Sequence, residues 1–263
     1  MSAPQLSPVA ELVRRNDPDR FLTALFAPPD RREVLFTLYA FNHELARARE
    51  VVSQPMLGLI RLQWWREVVQ GTPKQHEVAS PLSGALAAGL LPREALLTMI
   101  AGREAEAEDA PPTVEAWLGY LASTAGALAE AAGFALGGAA APAERLRGLG
   151  TAYGVAGLLR SVAVLAREGR CLLPEAVLAA HGTSSYAVTA GRDAAAVHAA
   201  IAELAETGRA LLRSHGGLLP RQVLAAALPA VLARRDLRHP GEMAARGLGD
   251  RLAVLAAAAL RRV

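Results

Sequence analysis

The 263-residue sequence contains one cysteine, Cys171, and one lysine, Lys74. A single thiol excludes a disulfide framework and a thiolate-bound metal cluster. Aromatic residues fill only 5% of positions. No basic run is interleaved with them, so nothing points to nucleic acid and no such partner is expected. The amino-terminal stretch MSAPQLSPVAELVRRNDPDR lacks the basic start and apolar run of a secretory signal. No uninterrupted apolar run approaches the ~18 residues of a bilayer span. The nearest, Ala125 to Ala143, is broken by Glu130 and loosened by four glycines. These absences lead to the expectation of a soluble, cytoplasmic protein in a reducing compartment.

What is present is alanine and leucine, in a chain that is 52% hydrophobic. Both residues lose little conformational freedom in a helix, and β-branched residues are sparse, so helices are favoured throughout. The formal charge of +3 is carried almost wholly by arginine, and a solvated surface accounts for so mild an excess. Proline and glycine clusters divide the chain into helical stretches. Arg31 to Val52 follows Pro28-Pro29 with Asp30 as N-cap, and Pro55 to Gln70 ends at Gly71 and Pro73. Next come Ser80 to Ala88, Pro92 to Glu108, Val114 to Leu136 capped by Thr113, and Pro142 to Glu168. A short helix opened by Pro174, then Ala194 to Ser214, Pro220 to Arg234 and Gly249 to Arg262, complete the pattern. No stretch alternates with period two. The reading is one all-α domain over residues 19–263, preceded by an extension over 1–18.

Several chemistries are missing. There is no GxSxG elbow, no Walker A lysine and no HExxH pair. Gly148, Gly150 and Gly154 do not have dinucleotide-binding spacing, and no strand precedes them, so close helix packing is the better reading. The six histidines are scattered, and none pairs with another at i, i+4. Cys171 and His181 are too weakly motivated for a nucleophile and base, because a lone cysteine is usually a buried one. The cluster Glu104, Glu106, Glu108 and Asp109 admits two readings. Carboxylates one turn apart can converge on magnesium, but acidic residues at a helix end are more often solvated, and solvation is the favoured reading here.

Two segments resemble the squalene/phytoene synthase family, whose members join two prenyl diphosphates head to head. The first is FLTALFAPPDRREVLFTLYAFNHELARARE, with the family's proline turn, basic pair and YAF signature at Tyr39, Ala40 and Phe41. In active members an arginine and an aspartate-rich motif follow, and the aspartates hold magnesium against the diphosphate. By the resemblance, the arginine falls at His43 and the aspartates at Ala46, Arg47 and Glu50. The second segment, GVAGLLRSVAVLAREGRCLLP, matches the second aspartate-rich helix and its GRxYLP turn. Arg160, Gly169, Arg170, Leu173 and Pro174 are retained, whereas the family's asparagine falls at Gly157 and its two aspartates at Ser161 and Leu165.

The resemblance implies an isoprenoid-synthase-like helical bundle whose ionising machinery has been lost. Neutralising the diphosphate leaving group is the metal cluster's work, and only Glu50 of the expected ligands keeps a carboxylate. The stretch AFNHELARAREVVSQPMLGLIRLQWWREVV is closer to the non-catalytic branch of the family, which includes the mitochondrial assembly factor for respiratory complex I. Leu173-Pro174, His181-Gly182 and His239-Pro240 follow the same branch. The implied function is an assembly or scaffold protein with a protein partner, a respiratory-complex subunit, with peripheral contact at the inner membrane and no cofactor. Two alternatives stand beside it. One is a divergent magnesium-dependent prenyl transferase using Glu50 and the 104–109 cluster; the other is a non-catalytic protein that binds an isoprenoid or lipid. In either case Tyr39, Phe41, His43, Ala46, Arg47, Glu50, Gly157, Arg160, Ser161, Leu165 and Arg170 outline the inherited pocket. Core packing is the simpler role for Tyr39, Phe41, Trp64 and Trp65.

Overall fold

The computed structural model describes residues 6–50, 55–107 and 110–263. The first helices are α1 (Pro8–Asn16), α2 (Pro18–Ala24), α3 (Pro29–Glu50), α4 (Pro55–Gln70), α5 (Ala79–Ala87) and α6 (Arg93–Glu104). The middle of the chain forms α7 (Val114–Leu121), α8 (Ala127–Gly137) and α9 (Ala143–Arg167). The remainder forms α10 (Glu175–Ala180), α11 (Ser185–Thr189), α12 (Ala194–His215), α13 (Leu224–Ala227), α14 (Pro229–Asp236) and α15 (Leu248–Leu260). Among the described residues extended pairing is limited to one isolated bridge, Leu218 with Arg262. The fold is an all-α single-domain bundle.

Local chemistry sets many of the boundaries. The Ser7 hydroxyl accepts from the Ala10 N–H at 3.1 Å and starts α1, and the Asp17 carboxylate accepts from the Arg20 N–H at 3.0 Å and starts α2. Thr113 caps α7 through the Ala116 N–H at 3.2 Å, as its place in the sequence predicts. Asp30 sits inside the first turn of α3 rather than capping it, because the helix begins at Pro29. The stretch read as an extension contributes α1, whose Val9, Ala10 and Val13 are buried as α1 packs on α3.

Two expected helices are broken. Val114 to Leu136 is interrupted by a π-helical turn at Ala122–Gly126. There the Ser123 and Thr124 hydroxyls donate to the Tyr120 carbonyl at 2.9 and 2.8 Å, which supports the widened turn. Pro220 to Arg234 is divided by Pro229, which has no N–H to continue the preceding helix and instead opens α14.

The central element is α9, which packs against α8, α12, α14 and the π turn. Among the described residues it is the helix long and apolar enough to cross a bilayer, a candidate that counting uninterrupted apolar residues passes over. Here its apolar side chains Leu146, Leu149, Val155, Leu159 and Val162 are buried in the bundle. Its glycines let neighbours approach closely. A Cβ on Gly150 would lie 2.5 Å from both the Ala125 carbonyl oxygen and the Ala129 Cβ, and one on Gly154 would lie 2.8 Å from the Ala125 Cβ.

Candidate functional site

Residues one turn apart on a helix share a face. Gly157, Ser161 and Leu165 therefore point the same way from α9, toward Asn42 and Ala46 of α3. Between the two helices lies a cavity of about 290 Å³, whose wall is completed by the end of α6, by α7 with its π turn, and by the chain after α9. Five residues expected from the sequence line it: Ala46, Gly157, Ser161, Leu165 and Arg170. Gly157 faces open space, with no atom within 4 Å of where a Cβ would stand. The Ser161 hydroxyl turns back to donate to the Gly157 carbonyl at 2.9 Å.

The other expected residues lie elsewhere. Phe41 is fully buried and meets Trp65 edge-on at 5.4 Å, and Trp65 meets Trp64 in the same manner at 4.8 Å. Tyr39 is buried near the Arg20 guanidinium, 5.8 Å from its ring centroid, and burial raises its hydroxyl pKa well above the ordinary range. His43 is half-buried, and burial lowers the pKa of its imidazole. Arg47 turns to Glu44 on its own helix at 3.7 Å. Arg160 leaves the cavity for Asp236 at 3.3 Å and the Ala244 carbonyl at 3.1 Å. Arg246 completes that second knot by bridging Asp236 and Asp19. The Glu50 side chain lies outside the described residues, as do Glu108 and Asp109.

The cavity's charged chemistry comes largely from residues that sequence reasoning left out or read differently. Glu106 is only 7% exposed. It accepts from the Tyr120 hydroxyl at 2.6 Å, from Arg170 at 3.2 Å and from Arg103. Burial opposes its charge, yet Arg103, Tyr120 and Arg170 together hold its carboxyl below the usual carboxylate range. This corrects the solvated reading of the acidic cluster for Glu106, while Glu104 pairs with Arg66 at 2.5 Å. Arg20, Tyr120 and Tyr153 also line the cavity. Arg20 pairs with Asp17 at 2.7 Å, and Tyr153 donates to Asp19 at 3.1 Å. Their only sequence signal is that both tyrosines belong to a set of four in an aromatic-poor chain.

Three guanidiniums and one carboxylate thus face this space. Magnesium needs several convergent oxygen ligands of negative charge. Among the described residues the lone carboxylate is already shared between two arginines, and of the positions that the resemblance assigns to the metal, Ala46, Arg47, Gly157, Ser161 and Leu165 offer no carboxylate, while Glu50 does. Among the described residues no three acidic, histidine or cysteine side chains come together as a metal site. The described donor set does not fit the ion. A second cavity of about 450 Å³ lies beyond Glu106 and Arg170 and includes Cys171, Glu175 and Ser185. Burial raises the Cys171 thiol pKa, the opposite of what an activated thiolate requires.

A family profile described as squalene/phytoene synthase matches residues 13–254. Among curated relatives are proteins named NADH dehydrogenase (ubiquinone) complex I, assembly factor 6. The one from Bos taurus is 29% identical over 180 residues, covering 66% of this chain and 54% of the relative. The one from Mus musculus is 28% identical over 228 residues, covering 84% and 68% respectively. The chain thus spans about half the length of the bovine relative. Among solved structures, a dehydrosqualene synthase in complex with ligand superposes with a TM-score of 0.77 at 16% identity, covering 96% of this chain and 94% of that one. A squalene synthase, HpnC from Alicyclobacillus acidocaldarius, gives 0.66 at 21% identity, covering 96% and 92%. At such identities the structures establish the fold alone. The profile extends over nearly the whole sequence, and on that ground the chain belongs to the squalene/phytoene synthase family.

Proposed function

We propose that this chain is a non-catalytic member of its family that serves as an assembly factor for the respiratory NADH dehydrogenase, acting through a protein partner. The observation that carries the loss of catalysis is the cavity between α3 and α9. The family's ligand positions there hold Ala46, Gly157, Ser161 and Leu165, and the one described carboxylate is locked to Arg103 and Arg170. Ionising an allylic diphosphate requires charge neutralisation that these residues do not supply through a metal. The relatives' printed name supports the assembly role.

Two measurements test the halves of this reading separately. Purified protein incubated with farnesyl diphosphate and magnesium is expected to give no C30 product on extraction; a magnesium-dependent product would sink the non-catalytic assignment. Deleting the gene is expected to lower NADH-driven oxygen consumption and the amount of assembled NADH dehydrogenase, while succinate-driven respiration persists. Unchanged NADH oxidation would overturn the assembly role.

A second reading rests on the excess of guanidinium over carboxylate in the cavity. Arg20, Arg103 and Arg170 suit an anionic headgroup without a metal, so an isoprenoid phosphate is held but not transformed. Binding of farnesyl diphosphate that is unaffected by removing magnesium with a chelator is its expected signature.

A further inference from the structure

On the other side of α9 from the central cavity lies a separate groove of about 470 Å³, bounded by α9, α11 and α12. Its apolar surface includes Val162, Ala166 and Ile201, and its cationic groups are Arg167 and Arg192, with His198 beside them. Among the described residues no carboxylate lines it. Arg167 forms no ion pair among the described residues, and the Arg192 guanidinium lies 5.5 Å from the Tyr186 ring centroid without an acidic partner. Asp193, the neighbour of Arg192, is turned to the Thr183 hydroxyl at 3.2 Å. Positive φ angles at Gly191 and Asp193 shape the turn that carries Arg192 on the rim.

Apolar surface beside uncompensated guanidinium groups complements one class of molecule, an amphipathic anion. The volume falls in the lower part of the roughly 300–1,000 Å³ usual for small-molecule sites, which suits one hydrocarbon chain better than two. We propose that this groove binds a single-chain fatty carboxylate, its tail laid along Val162, Ala166 and Ile201 and its head held by Arg167 and Arg192. A planar carboxylate matches the paired N–H groups of guanidinium. The site is independent of the assembly role, and its failure would leave that reading standing, because the latter rests on the relatives and on the central cavity.

The test is calorimetric titration of the full chain with dodecanoate, dodecyl phosphate and dodecyltrimethylammonium, each kept below its micelle-forming concentration. Dodecanoate is expected to bind one to one and about tenfold more tightly than the trimethylammonium, the scale of two partly exposed ion pairs. In the double variant Arg167→Gln/Arg192→Gln the anion and the cation should bind within about twofold of each other. Both arginines are exposed, so this variant is expected to fold, and its melting temperature checks that it does. Ala166→Trp, which fills the apolar floor, should abolish binding of all three probes. Equal binding of both head charges to the wild type, or anion preference surviving in the double variant, would overturn the proposal. No saturable binding would overturn it as well. Dodecyl phosphate binding tenfold more tightly than dodecanoate would replace the fatty carboxylate with a phosphate-headed lipid.

Discussion

Two glycines three residues apart on α9 have opposite surroundings. Gly154 is pressed against the π turn, so that any Cβ would collide with Ala125, whereas Gly157 faces the central cavity with nothing near it. Helical spacing puts both on one face of α9, and both line the cavity; that face is closely packed toward the start of the helix and opens toward its end. The packed stretch sets how the bundle assembles, and the open stretch carries the positions that the resemblance assigns to the family's ligands. Substitutions on the open stretch are expected to have little effect on the fold. Glu106 is the exception: it faces the cavity and is nonetheless tightly constrained.

That exception gives the largest expected effect. Glu106→Ala leaves Arg103 and Arg170 without their shared carboxylate and should cost about 3 kcal/mol, the lower end for breaking a buried pair, because both arginines keep some exposure to water. A urea melt measures it, and a loss under about 0.5 kcal/mol, the scale of an ordinary surface substitution, would place Glu106 with the unconstrained residues. On the packed stretch, Gly150→Val should cost roughly 1–3 kcal/mol by overpacking against the Ala125 carbonyl and Ala129. A neutral result there would erase the contrast between the two stretches.

A third prediction concerns pH. The carboxyl of Glu106 titrates below its ordinary value of 4.5, so its stabilising contribution is complete above that pH and disappears as the pH falls through the lower folded value. The melting temperature of the wild type should therefore drop more steeply below about pH 4.5 than that of Glu106→Gln, which has no such proton to take up. Parallel curves would mean that the carboxyl is not held by its arginines. The smallest effect belongs to the open stretch. Gly157→Ala should be neutral or stabilise by about 0.4–1 kcal/mol, since the helix gains a better former and the cavity has room for the methyl group. A loss of more than about 1 kcal/mol would show that this stretch, too, is packed.

Much of this contrast is visible in the sequence, and the limits of that reading are physical. Glycines at 148, 150 and 154 in an alanine-rich helix announce a close neighbour, and the neighbour proves to be the π turn, α8 and the end of α12. Helical periodicity converts spacing into facing for Gly157, Ser161 and Leu165 of α9, but of the described residues expected from α3 only Ala46 lines the cavity, beside Asn42, which the motif did not single out. The π turn itself leaves no such trace: the Ser123 and Thr124 hydroxyls that support it make bonds to the preceding turn that ordinary helices also contain. Glu106 was hidden for a related reason. Its partners Tyr120 and Arg170 lie 14 and 64 positions away, and a local pattern of acids cannot show that one of them folds inward. Arg160 and Arg170 look equivalent in the second motif, yet only the helix geometry sends one to Asp236 and the other to the cavity.

The Glu106–Arg170 contact also has a topological consequence. It ties the chain just after α6 to the turn just after α9 and so closes a loop of 64 residues that contains the π turn and most of the bundle's centre. Closing a loop of that length costs only slightly more entropy than closing one half as long, so a single charged clasp is an economical way to hold its two ends in register. Such a clasp is expected to couple the opening of the segments on either side of it. Hydrogen exchange in Glu106→Ala should accordingly show α7 and α8 opening ahead of α12, and in the intact protein should show them opening together.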